Sequence, residues 1–155
     1  MLITKVKDHK KILEIVRDKN PFVFKCFGCR EVNFPEDEID SLLKECMNGL
    51  KAVARVDYLC RQEFTKKYLK AFGREISQAG TVLVFSCGVG VQVVSKLLEE
   101  KIVLPGCDTL YISGFQGVTA QAVDCEQCGQ CYLNITGGIC PVTGCSKGLL
   151  NGPCG

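Results

Sequence analysis

Thr81-Val82-Leu83-Val84-Phe85-Ser86-Cys87-Gly88-Val89-Gly90, residues 81–90, is the stretch that decides the fold. A short β-branched and aromatic run bounded by Gly80 reads as a strand over 81–85, a tight turn over 86–90, and a helix from Val91 to Lys101. The uncharged run around it, Ile76 to Ser95, has membrane length. Ser77, Gln78, Gly80, Ser86, Gly88, Gly90 and Gln92 interrupt it, so strand, turn and helix is the better reading.

The same alternation runs outward from this unit. Asp8 to Lys19 carries Ile12, Leu13, Ile15 and Val16 on one side, an amphipathic helix whose wet face holds His9 and the lysines. Phe22-Val23-Phe24-Lys25-Cys26 predicts the first strand, set off by Pro21 and a Gly28 turn. Pro35 then opens a helix with Glu36, Asp37 and Glu38 in its first turn, carboxylates that suit the positive helix end rather than a metal. Ile39, Leu42, Leu43, Cys46 and Met47 form its buried stripe, where a cysteine acts as a small hydrophobe. Lys51 to Val56 predicts a second strand, Glu63 to Gln78 one helix, and Pro105-Gly106 a turn into a final strand, Leu110-Tyr111-Ile112. This order implies an α/β fold: a Rossmann-like, mostly parallel sheet with right-handed crossovers over residues 1–115. A Cys/Gly-rich C-terminal wrap over 116–155 packs on it.

Composition narrows the function. A chain of 155 residues, 46% hydrophobic and 23% charged, suits a soluble protein, and a net charge of +2 argues against nucleic acid as the main partner. Charge is uneven: from residue 102 onward only Asp108, Asp124, Glu126 and Lys147 are charged. So poor a solvent face is expected to be folded over metal clusters and buried against another subunit.

Cysteine is the abundant reactive residue, at 12 of 155, and six of the twelve lie between Cys125 and Gly155. Cys125, Cys128 and Cys131 make C-x2-C-x2-C, the spacing by which one loop presents three thiolates to an iron–sulfur cluster. The fourth ligand is Cys140 (which has the Cys-Pro context), Cys145 or Cys154; glycines at 129, 137, 138, 144 and 152 let the backbone curl around them. A second all-cysteine site follows from topology. Cys26 and Cys29 leave the first strand, Cys60 the second and Cys87 the third, and parallel strands end at one edge. Gly88 and Gly90 would let helix-start amides approach a cluster there.

Other readings are weaker. The N-terminal residues Met1 to Lys11 show no apolar signal region, so the thiols are expected in a reducing cytoplasm, where metal ligation is favoured over disulfides. The single histidine makes any site all-cysteine, which zinc also tolerates at either set. Gly88-x-Gly90 is a degraded dinucleotide loop, with Val93 where the third glycine belongs. Cys107, after a Pro-Gly turn, reads as structural, with a spare ligand as the alternative. No G-x-S-x-G or H-E-x-x-H motif is present, and no catalytic residue stands out.

The tail T-G-G-I-C-P-V-T-G-C-S-K-G-L-L-N-G-P-C-G (136–155), with K-C-F-G-C (25–29), F-S-C-G-V-G (85–90) and C-E-Q-C-G-Q-C (125–131), resembles the MetV-type small iron–sulfur subunit of methylenetetrahydrofolate reductase. That is the methylenetetrahydrofolate reductase C-terminal domain family, and the resemblance covers essentially the whole chain. It implies two [4Fe–4S] clusters and a flavin-containing, TIM-barrel catalytic partner of the MetF type. The partner would reduce 5,10-methylenetetrahydrofolate to 5-methyltetrahydrofolate in the methyl branch of acetogenic (Wood–Ljungdahl) carbon fixation. The chain itself would be a cytoplasmic, non-catalytic electron-transfer subunit, supplied by ferredoxin or a further electron-input subunit. The alternative is a zinc-binding structural subunit that stabilises the same partner without redox activity.

Overall fold

The computed structural model describes residues 2–27, 29, 32–110 and 125–145. The expected Gly28 turn, Tyr111 and Ile112, and Cys154 lie outside them. In chain order the elements are β1 (Leu2–Val6), α1 (His9–Lys19), β2 (Phe22–Phe27), β3 (Val32–Asn33), α2 (Glu36–Glu45), β4 (Ala52–Asp57), α3 (Gln62–Ala71), α4 (Gly73–Gln78), β5 (Val82–Phe85), α5 (Gly88–Leu97), β6 (Val103–Pro105) and β7 (Cys107–Leu110).

Four strands form an all-parallel sheet in the order β4-β2-β5-β6. β2 and β5 are central and buried at every position, as a strand covered on both faces must be. Their alternation divides the core. Phe22, Phe24, Cys26, Val82 and Val84 face one cluster with Ile76, Val91 and Val94 from the α4 and α5 helices. Val23, Leu83 and Phe85 face the other, with Ile12 and Val16 of α1 and Ile39, Leu42 and Leu43 of α2. Phe22, Phe24 and Phe85 are among the largest fully buried side chains, each worth roughly 1.5–3 kcal/mol of burial. Lys25 is buried on the second face, where it pairs with Asp40 of α2 and lies 4.8 Å from the Phe27 ring centroid.

The parallel α/β reading is correct, and several details differ from expectation. Leu2–Val6 is a strand, and it pairs in parallel with β3 and antiparallel with β7 to make a second, three-stranded sheet. The expected helix over 63–78 is two, broken at Phe72, whose ring turns inward to lie 5.6 Å from Phe22. Met47 is off the buried stripe, 66% exposed in a single 3-10 turn, because α2 ends at Glu45. The α5 helix begins at Gly88, not Val91. Pro105 closes an edge strand, where its missing N–H costs no ladder bond, and the last described strand starts at Cys107 instead of Leu110. Between them Gly106 passes over the Phe85 ring; a Cβ there would lie 2.6 Å from Phe85 Cδ1. That close approach lets the chain leave one sheet and enter the other.

Candidate metal centre

Parallel strands put their carboxyl ends at one edge of the sheet, and three of those ends carry thiols. Cys26 lies in β2 opposite Val56, Cys60 follows β4, and Cys87 caps α5 just past β5. Cys29 and Cys60, partly buried, pack with Cys87, Val32 and Val89, while Cys26 adjoins from the core beneath. The four sense one another electrostatically. Burial pushes the Cys26 thiol up to about 12, and Cys87 and Cys60 add to the rise. Burial likewise raises Cys87, with Cys60 and Cys29 adding to it, and burial followed by Cys29 raises Cys60. Amides oppose these shifts: Leu59 N–H donates toward the Cys26 sulfur, and Gly90 and Val89 N–H at the start of α5 donate toward Cys87.

In the tail, Cys125, Cys128, Cys131 and Cys140 line one cavity of about 30 Å³. The loop is shaped to aim amides at sulfur. Gln127 adopts φ +54, unusual for a side chain of its kind, and its N–H donates toward Cys125. Leu133 N–H donates toward Cys131, and Thr143 N–H donates to Cys140 Sγ at 3.5 Å. Burial pushes Cys125 and Cys131 each up to about 11. Positive φ at Gly129, Gly137 and Gly138 provides the curl. Cys145 does not line the cavity; its N–H donates to Val142 O at 3.4 Å. Cys46 is buried with its Sγ–H donating to Leu42 O at 2.9 Å, and Cys107 is buried in the core on the α1 and α2 face. Both lie in the same core cluster.

Residues outside the cysteine motifs hold this loop. The Asp108 carboxylate accepts from Cys131 N–H at 2.8 Å and pairs with Lys7 Nζ at 2.7 Å; Lys7 also donates to Cys131 O at 3.3 Å. Thr109 Oγ1 accepts from Gly88 N–H, and Thr109 O accepts from Gly129 N–H, both at 3.0 Å. Leu133, 2% exposed, inserts into the main core. Sequence reasoning missed Lys7, Asp108 and Thr109. The available signal was Asp108, one of four charges in the C-terminal 54 residues.

The two thiol sets touch. Cys125 packs against the cluster of Cys29, Cys60 and Cys87, and Cys87 adds to the rise that burial gives the Cys125 thiol. Gly88 stands between them: a Cβ there would lie 2.9 Å from Cys125 Sγ.

Residues 104–155 match a family model described as methylene-tetrahydrofolate reductase C terminal. No curated protein and no solved structure matches the chain. The matched segment, about a third of the chain, begins in β6 and includes Asp108, Thr109 and all the tail cysteines. Cys26, Cys29, Cys60 and Cys87 fall outside it.

Among the described residues no group of three or more His, Cys, Asp or Glu side chains is set to hold a metal ion. The tail sulfurs surround a space instead of closing on a point. That space holds one or two waters at most, so a cluster would spread the four thiols apart. The donor set nevertheless fits a sulfur-ligated inorganic cluster: thiols only, with N–H groups already directed at three of the tail sulfurs and three of those at the sheet edge.

Proposed function

We propose that this chain is a cytoplasmic iron–sulfur electron-transfer subunit of a methylenetetrahydrofolate reductase complex, of the MetV type, with a flavin-containing MetF-type partner. The observation that carries the reading is the pair of abutting thiol sets, each with backbone N–H groups turned toward its sulfurs. In it Cys26, Cys29, Cys60 and Cys87 would hold one [4Fe–4S] cluster, and Cys125, Cys128, Cys131 and Cys140 the other. Bound clusters supply reversible one-electron transfer. The chain's own residues supply the rest: thiolates to ligate, amides to stabilise the added negative charge, and a packed core that keeps both sets fixed.

The methylene-tetrahydrofolate reductase match over 104–155 supports the choice of complex. Ile135 and Ile139 beside the tail set are 75% and 72% exposed, in keeping with a surface that another subunit covers. Among the described residues no helix is long and apolar enough to cross a membrane.

Anaerobic purification followed by iron, sulfide and zinc analysis tests the proposal. Two four-iron clusters give about eight irons per chain. Colourless protein that contains zinc without iron would replace the redox reading with a structural zinc subunit.

A further inference from the structure

The Ser86 side chain is 1% exposed, and its Oγ has no partner within ordinary hydrogen-bonding geometry. An unsatisfied buried hydroxyl is destabilising, so its position calls for an explanation. Strand register gives one. β2 and β5 are in register at Lys25 and Phe85, and one further step sets Cys26 beside Ser86. Even-numbered residues of both strands face the same core cluster, so the two side chains share a face. Gly90, one turn into α5, has no Cβ where one would collide with Ser86 Oγ, and this leaves the hydroxyl room under the helix start. The group it faces is the Cys26 sulfur.

We infer that the Ser86 hydroxyl is a hydrogen-bond donor reserved for the Cys26 sulfur in its metal-bound, thiolate form, and that it sets the reduction potential of the sheet-edge centre. A neutral thiol is a weak acceptor and a thiolate a strong one, so the bond is made in full only when Cys26 ligates. Reduction adds negative charge to the cluster and its sulfurs. A donor to a ligand sulfur therefore stabilises the reduced form more and raises the potential. Ser86 is a positioning and tuning residue, not a ligand, and the inference rests on the proposed placement of a metal group at Cys26.

The test is Ser86→Ala in the anaerobically purified full chain, read by iron content, EPR and redox titration. Wild-type iron and sulfide content is expected, with one of two midpoints lowered. The loss is about tenfold in the reduced-to-oxidised equilibrium, or ~59 mV for one electron, and the other midpoint stays unmoved. Two unmoved midpoints would overturn the inference. Where Ser86→Ala fails to hold iron, Ser86→Thr keeps the donor. Retained iron at the wild-type midpoint supports the inference, and its loss in that variant as well overturns it. Zinc in the wild-type protein would end the electron-transfer reading and overturn the redox part of this inference, leaving the hydrogen bond itself to be tested. The sulfur-to-cobalt charge-transfer band of cobalt(II)-exchanged protein should then shift in Ser86→Ala, and a fixed band would overturn the inference.

Discussion

Gly88 shows how much one missing methyl group can decide. Alanine is about 1 kcal/mol better than glycine within a helix, and Gly88 opens α5, so propensity alone favours the substitution. The Cβ, however, would sit 2.9 Å from Cys125 Sγ and displace that sulfur from the tail set. Gly88→Ala is therefore expected to lose about half of the bound iron, the share of one of two equal clusters. Iron analysis and EPR read the result; wild-type iron content would show that the tail set tolerates movement of Cys125. Asp108 acts differently, by holding backbone. Asp108→Ala leaves the partly buried Cys131 N–H without its acceptor and Lys7 without its carboxylate partner. A loss of about 1–3 kcal/mol in denaturant unfolding is expected. Asp108→Asn, which keeps an acceptor for the amide, should recover most of it.

At the scale of elements, the parallel sheet was legible because its strands are nearly continuous apolar runs separated by helical periods. Three strand ends carrying cysteine could then be placed at one edge from topology alone. The second sheet was not legible. Leu2–Val6 pairs with β7 across about a hundred residues of sequence, and β3 is only two residues long, so no local period announces either. The break at Phe72 was hidden for a similar reason: an aromatic in a helical pattern does not reveal that its ring will pack against Phe22 and Phe24. The C-x2-C-x2-C loop was visible as a motif. Its supports on Lys7, Asp108 and Thr109 were not, since they arrive through that unseen sheet. Leu133 tests how the tail is held. It is the described tail residue buried in the main core, and Leu133→Ala should cost 2–5 kcal/mol. Iron should be lost first from the tail set as the loop lifts, whereas Cys46→Ala, remote from both sets, should leave iron content unchanged.

For the whole molecule, the buried thiols make pH a discriminating variable, because the metal-free and metal-loaded chains respond with opposite signs. In the metal-free chain burial raises Cys26 from an ordinary 9.0 to about 12, and Cys125 and Cys131 to about 11. Below pH 9.0 folded and unfolded chains both keep these protons, and the contribution to stability is fully present. Above it the unfolded chain releases them while the folded chain holds them, so stability falls as pH rises through the folded values. In the metal-loaded chain the same sulfurs are already thiolates. Unfolding below pH 9.0 then takes protons up, and stability rises with pH toward that value. Urea midpoints measured anaerobically under reductant should accordingly climb with pH in the loaded protein up to about 9 and decline in the stripped protein beyond it. A stripped chain with a flat midpoint from about pH 9 to 11 would mean that the thiols ionise in place. The sets would then be hydrated sulfurs rather than dry ones, and the basis for assigning clusters to them would be gone.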